Sequence, residues 1–178
     1  MSVQVKLRRD TAANIATFTP AQGEAIVDLT NNRLVVGDGT TVGGTAAAKL
    51  SEAGSVKSAA GAVLSLQIAE TLLSGLSGAS VTATNLIPAG ALVVGCAART
   101  VTTITGATSY EVGYGTGGTL SAFGSGLGIA AGSTNEGLIG PNPFYSATSV
   151  IVTSAGGSFS AGAVRLSLAY LTLTPATS

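Results

Sequence analysis

The chain offers little with which to do acid–base or nucleophilic chemistry. It has no histidine. The ordinary general base at neutral pH, the Ser–His–Asp and Cys–His pairs and the commonest metal ligand are therefore absent. The single cysteine, Cys96, lies in the apolar run Leu92–Ala98 with no base beside it, and it reads as a buried, inert thiol. One cysteine makes neither an internal disulfide nor a Cys-rich zinc site. Beyond residue 70 the only carboxylates are Glu111 and Glu136. A glycosidase needs two carboxylates about 5–10 Å apart in a cleft. This pair reads instead as one strand-face and one loop carboxylate, with a site shared between several chains left open. Asp38-Gly39-Thr40 begins like a calcium loop, but the remaining ligands are missing and a turn is expected. The glycines at 113, 115, 117 and 118, and at 124, 126 and 128, resemble phosphate-cradling loops only in spacing. No P-loop lysine, strand–helix context or ribose-binding acid accompanies them. They are expected to permit sharp turns or close packing. No catalytic residue, metal or cofactor is expected.

What remains is recognition. Tyr110, Tyr114, Phe123, Phe144 and Tyr145 flank or lie within a Gly/Ser/Asn-rich stretch that also holds Asn135. Aromatic rings beside adaptable small residues can form a surface for glycan or protein contact. The same rings can plug a core or a subunit seam. Both readings are open at this stage.

Composition narrows the partners. Among 178 residues only 9% are charged, eight of each sign, against about 25% in ordinary domains. No basic excess exists to displace counterions from nucleic acid. The charge-free runs Thr71–Ala98 and Gly137–Val164 are broken by Pro, Gly, Ser and Thr, so neither supplies the about 20 apolar residues of a membrane-spanning helix. The first residues lack the apolar core of a secretory signal. Membrane insertion is not expected, despite a mean hydropathy of +0.51. A chain so poor in charge reads as a subunit with surface buried in an assembly, with a stable Gly/Thr-rich β monomer as the alternative.

The elements that would position these residues fall into two groups. Residues 1–70 carry 12 of the 16 charges. The expected division is an N-terminal module over 1–50, a Gly/Ser/Ala-rich linker over 51–60 and a β domain over 61–178. In the first module Val3, Val5 and Leu7 alternate with polar residues as in a strand. Asp10 or Thr11 can cap a short helix over Ala12–Thr17, ended by Pro20. Asn31-Asn32 suits a two-residue hairpin turn. Closing there pairs Thr30 with Arg33, Leu29 with Leu34 and Val27 with Val36. That puts apolar pairs on one face and Asp28 and Arg33 in diagonal reach on the other. In the second, strands are expected at Ala62–Leu73, Ser80–Leu86, Ala91–Ile104, Ser109–Tyr114, Ser149–Thr153 and Ala163–Thr174, with a short helix the alternative for the first. The long stretch from Gly115 to Phe144 reads as a loop, either functional or braced by neighbours. The fold class is mainly β: a small β-hairpin module followed by a jelly-roll-like antiparallel sandwich.

Part of this pattern is familiar. Leu7-Arg8-Arg9-Asp10-Thr11-Ala12-Ala13, Gly23-Glu24-Ala25, Asp28 and Arg33-Leu34-Val35-Val36-Gly37-Asp38-Gly39-Thr40-Thr41 resemble the N-terminal domain of phage tropism-determinant and tail-fibre proteins over about residues 3–45. The resemblance implies a trimeric module joining a receptor-binding protein to a virion. It marks Leu7, Arg8, Arg9, Gly23, Glu24, Asp28, Arg33, Leu34, Gly37, Asp38, Gly39 and Thr40 as the attachment motif. The remainder is similar to domains of uncharacterised virion proteins of alphaproteobacterial phages and gene-transfer-type particles. That similarity is carried by Ile104–Ser109, Phe123–Gly128, Gly132–Asn135, Gly137–Pro141 and Val164–Leu166. No heptads, collagen-like triplets or β-helix repeats that would build a long shaft occur.

These resemblances imply a homotrimeric structural protein on the surface of a tailed-phage particle, head or tail, assembled in the host cytoplasm. Its partners would be its own copies, other virion proteins and a host-surface glycan or protein. The alternatives are a capsid decoration or head-fibre protein and, from another class, a polysaccharide-degrading enzyme.

Overall fold

A computed structural model describes residues 7–49, 54–115 and 120–176. The chain divides into two compact units, Met1–Ala53 and Gly54–Ser178.

The first unit is a four-stranded sheet in the order β1-β2-β3-β4: β1 (Arg8–Asp10), β2 (Ala25–Asp28), β3 (Arg33–Val36) and β4 (Thr45–Ala46). The expected strand over Val3–Leu7 lies mostly outside the described residues; β1 follows it and runs parallel to β2. Helix α1 (Ala12–Ile15) is shorter than expected. Thr11 is its N-cap, accepting from the Asn14 amide at 3.3 Å, while Asp10 accepts from the Thr11 amide and the Asn14 side chain. Ile15, Ile26 and Val35 form the small core, with Phe18 packed against it.

The hairpin departs from its expected register. Asp28 pairs with Arg33, Val27 with Leu34 and Ile26 with Val35, two positions from the register that a turn at Asn31-Asn32 alone would give. The cause is Asp28. Its carboxylate accepts from the amides of Thr30 and Asn31 and from the Asn31 side chain, folding Leu29–Asn32 into a four-residue loop. Asn32 takes the positive φ (49°) expected of the turn. The buried face is the one carrying Ile26 and Asp28, so Leu34 and Val36 stand exposed. Asp28 and Arg33 are direct rather than diagonal neighbours.

The second unit is a two-sheet antiparallel sandwich. Its long strands are β6 (Val63–Ser74), β7 (Ser80–Ile87), β8 (Ala91–Thr105), β9 (Ser109–Tyr114), β13 (Thr148–Ala155) and β14 (Ala161–Thr174). They fall within one or two residues of the periodic runs. Val164, Leu166, Leu168 and Tyr170 on β14 all point inward, as an alternating strand with one buried face must. Three further strands, β10 (Gly124–Leu127), β11 (Thr134–Asn135) and β12 (Leu138–Phe144), occupy the stretch read as a loop. β10 pairs with β9, and β11 and β12 pair with β8. The brace comes from the same chain. Part of the expected linker is also strand: β5 (Ser55–Lys57) pairs with β6.

The pairing is nested. β6 joins β14, β7 joins β13, β8 joins β12 and β9 joins β10. β14 then joins β8, and β13 joins β9. This wraps one long doubled ribbon into two facing sheets, β10-β9-β13-β7 and β11-β8-β14-β6-β5, the jelly-roll arrangement. The core between them is built from Cys96, Val93 and Leu168 on one side and Val112, Val150 and Val152 on the other. Phe123 and Phe159 fill the gaps that small residues leave. Leu166 is fully buried. Leu166→Ala is expected to lower unfolding free energy by about 2–5 kcal/mol, and Thr82→Ala, exposed on β7, by less than about 0.5, as read by denaturant titration.

Candidate functional site

In the N-terminal unit the motif residues are chiefly architectural. Asp38 closes the Gly37–Thr41 turn: one carboxylate oxygen accepts from the amides of Thr40 (2.8 Å) and Thr41 (2.7 Å), and the other from the Thr41 hydroxyl (2.6 Å). Both carboxylate oxygens of Asp38 are thus engaged by donors of the turn itself. Gly37 is buried, and a Cβ there would meet the Pro20–Ala21 backbone; only glycine allows that approach. The Gly23 amide donates to the Gly37 carbonyl, and the Gly37 amide to that of Glu24. Glu24 accepts from the Ala21 amide and pairs with Arg8 at 3.1 Å, whose guanidinium lies 4.0 Å over the Phe18 ring. The carboxylates of Asp10, Glu24, Asp28 and Asp38 are all held below their usual range. The leading cause is the Asn14 side chain for Asp10, the Ala21 amide for Glu24, the Asn31 side chain for Asp28 and the Thr41 hydroxyl for Asp38.

What the unit leaves outside is one sheet face. Arg9 stands beside Val27, and Val27 beside Leu34; the next row is Ala25, Val36 and Thr45. Arg9 has no ion-pair or hydrogen-bond partner among the described residues. Leu7, Leu29 and Val42 are also exposed. Of the motif residues, Leu7, Arg9 and Leu34 are therefore placed for contact. Gly37, Glu24 and Asp28 are placed for holding the fold; Gly39 and Thr40 shape the Asp38 turn.

In the β unit the aromatic set does not form a surface. Tyr110 and Phe123 are 1% and 2% exposed and Phe144 is buried. Tyr114 packs edge-on to Phe144 at 4.7 Å and tilted to Phe123 at 5.6 Å. Its hydroxyl accepts from the Asn142 side chain at 2.7 Å. Asn135 donates to the Phe123 carbonyl, tying β11 to the turn before β10. Thr100 donates to the Gly128 carbonyl, which leaves the Tyr110 hydroxyl to donate to Thr100; burial pushes the Tyr110 phenol up. These are core residues and their anchors, packed in one cluster with Leu76, Ile87, Ile104, Leu166 and Leu168. Of the expected contact set Tyr145 is 87% exposed, and Tyr114 and Asn135 are half-buried. Gly137 sits at φ +55° against the Cys96 carbonyl, where a side chain would part β12 from β8.

The other residues weighed in the sequence lie apart from one another. Burial pushes the Cys96 thiol up to about 12. Glu111 alternates with buried Tyr110 and Val112, so it stands on the outer face of one sheet. Glu136 borders β8 on the outer face of the other. The sandwich core separates these carboxylates within one chain. The glycines at 124 and 126 belong to a paired strand; those at 117 and 118 lie outside the described residues. Among the described residues no three acidic, Cys or His side chains gather as a metal site, and no helix is long and apolar enough to cross a membrane.

A surface that sequence reasoning did not single out is the outer face of the six-stranded sheet. The apolar row Leu64, Leu66, Ile68 and Leu72 of β6 points away from the core. Only its period of two was legible; which face it served depended on β14.

With this geometry in hand, comparison with known proteins is informative for one unit. Residues 5–41 match the family described as the Major tropism determinant N-terminal domain. No curated protein matches the chain. Among solved structures, the chain is similar to a protein in the acidic stable capsid structure of Helicobacter pylori bacteriophage KHP30. That match has 18% identity and a TM-score of 0.46, and covers 67% of this chain and 94% of that one. It is also similar to a protein in the capsid asymmetric unit of cyanophage Pam1, with 19% identity and a TM-score of 0.42, covering 71% and 91%. The P3c variant of the Major Tropism Determinant matches with 31% identity and a TM-score of 0.27 over 55% of this chain. The chain spans 29% of that determinant's length.

Two outcomes follow from the site geometry. Phe123→Ala is expected to cost about 3–5 kcal/mol and Tyr145→Ala less than about 0.5, measured by thermal and denaturant unfolding. Asp38 contributes stability that is complete above about pH 4, where the unfolded carboxyl is ionised, and that is lost as pH falls toward its depressed folded pKa. Asp38→Asn should therefore lower the melting temperature of the first unit at pH 7. The deficit should shrink progressively below about pH 4, as followed by the amide resonances of Thr40 and Thr41.

Proposed function

We propose that this chain is a structural protein of a phage particle, docked through its tropism-determinant-like N-terminal module and projecting its jelly roll from the virion surface as a short homotrimeric fibre or spike. The observation that carries this reading is the domain-family match over residues 5–41, which falls within the first compact unit, Met1–Ala53. The exposed face around Arg9, Val27 and Leu34 supplies a surface for docking on other virion proteins. An apolar sheet face with a single guanidinium suits a protein partner.

A capsid decoration role is the second reading. It is favoured by the absence of shaft repeats and by a β unit that is a single jelly roll, which gives little reach. In both readings the molecule works by contact. An enzyme acting on host polysaccharide is not supported by the placement of Glu111 and Glu136 on opposite outer faces.

Homotrimerisation is proposed because the β unit is poor in charge and exposes apolar side chains on the six-stranded sheet. Three chains of 17.2 kDa give about 52 kDa, which light scattering on the purified full chain should return; a stable monomer at micromolar concentration would remove the trimer. Deleting residues 1–50 should leave the β unit folded but missing from assembled particles. Truncated protein found on particles at normal occupancy would refute docking through the first module. The particle fraction in which the full chain appears, heads or tails, separates the two readings.

A further inference from the structure

The outer face of the six-stranded sheet does not have the surface of a solitary domain. Ile68 is 72% exposed, Leu66 55%, Leu173 74% and Val56 72%. The registers bring them together. Val56 stands opposite Leu64, Leu64 opposite Leu173, Leu66 opposite Leu171 and Ile68 opposite Ala169. No charged residue interrupts them. The patch is on the order of 500 Å², at the upper end of what monomers expose. With a polar border it approaches the about 800 Å² per partner of a standard interface.

That border lies farther along the same face. Arg165 pairs with Glu70, which also accepts from the Ser167 hydroxyl. Arg99 stands directly opposite Arg165, an unfavourable arrangement of like charges across strands. Arg165 is drawn to Glu70 on the next strand, and Arg99 is left with no ion-pair or hydrogen-bond partner among the described residues. Glu136 borders the same depression of about 290 Å³ as Arg99 and Arg165, and it too has no such partner. The face thus combines an uncharged apolar half with a charged half whose members sum to zero. One cation and one anion in that half stay unsatisfied.

We propose that this face is the interface between copies of the chain: the apolar half packs against a second copy, and Arg99 of one copy meets Glu136 of the next. The occupant is a second copy because the face is complementary to itself. Around a three-fold axis the apolar patches of the copies close on one another, and Arg99 and Glu136, each without a partner among the described residues, are opposite in sign. A rotation axis brings such opposites together. The inference deepens the homo-oligomer reading and rests on it.

The test uses the full chain. Ile68 is exposed on a strand whose inner face is unaffected, so Ile68→Asp should keep the far-UV spectrum and melting profile of a β fold. Its mass by light scattering should fall to that of the monomer. Arg99→Glu alone and Glu136→Arg alone should each weaken association ten-fold or more. The double variant Arg99→Glu/Glu136→Arg should restore association to near the wild-type value. An oligomer that keeps its wild-type mass in Ile68→Asp overturns the interface, and leaves the virion reading standing if the chain is still on particles. Single charge reversals without effect overturn the Arg99–Glu136 contact. A monomeric wild type whose Ile68→Asp variant is lost from particles shows that the face docks a different virion protein, and overturns the second-copy proposal. A wild-type chain that is both monomeric and absent from particles overturns the virion reading itself.

Discussion

The β unit depends on β14 being paired along both edges. One edge takes β6 in unbroken register from Ala163 to Thr174, and the other takes β8. Because β6 is the first long strand of the unit and β14 its last, the core forms only when segments from its two ends meet. Such non-local closure is entropically costly and slow. It is offset by Val164, Leu166, Leu168 and Tyr170, which one strand drives into the space between the sheets. The same alternation dictates the exterior. Once those four face inward, Arg165, Ser167, Ala169, Leu171 and Leu173 face outward. Their partners on β6 follow them, including Glu70, Ile68, Leu66 and Leu64. The apolar exterior is therefore not a packing accident at a few positions. It is the other face of the register that closes the core.

The N-terminal unit solves a different problem. It is small, with Ile15, Ile26 and Val35 the buried apolar centre among the described residues, and small domains need support beyond their cores. Here support comes from carboxylates bonded to nearby amides and hydroxyls. Asp10 holds the helix start, Asp28 the hairpin loop, Asp38 the following turn and Glu24 the approach of Arg8. Acidic residues that resemble a ligand-binding pattern in sequence are occupied with backbone. The surface left for a partner is apolar and carries Arg9.

Much of this was legible in the sequence where the pattern was long and alternating, as in β6, β8 and β14. It was not legible where pattern was short or two-sided. In β2 and β3 apolar residues occupy both faces, so Ile26 and Val35 could not be told from Val27 and Leu34 until Asp28 fixed the loop length. β10 to β12 carry Gly124, Gly126, Pro141 and Pro143 in place of branched residues. β12 lies at the sheet edge, where proline is tolerated, so strand propensity gave no sign of it. The aromatics were visible as a group. Their burial, one of the two readings open in the sequence, places Tyr110, Phe123 and Phe144 in one core with Leu76, Ile87, Ile104, Leu166 and Leu168.

The proposed virion role needs one module to hold the particle and one to meet its neighbours. The two exposed apolar faces, around Leu34 in the first unit and around Ile68 in the second, fit these two tasks. Cryo-electron microscopy of purified particles at side-chain resolution tests this most directly. The expected map shows the chain at the particle surface, with residues 5–41 seated on another virion protein and the Ile68 face closed against a further copy. Purified particles with no density for this chain, or with both faces open to solvent, would contradict it.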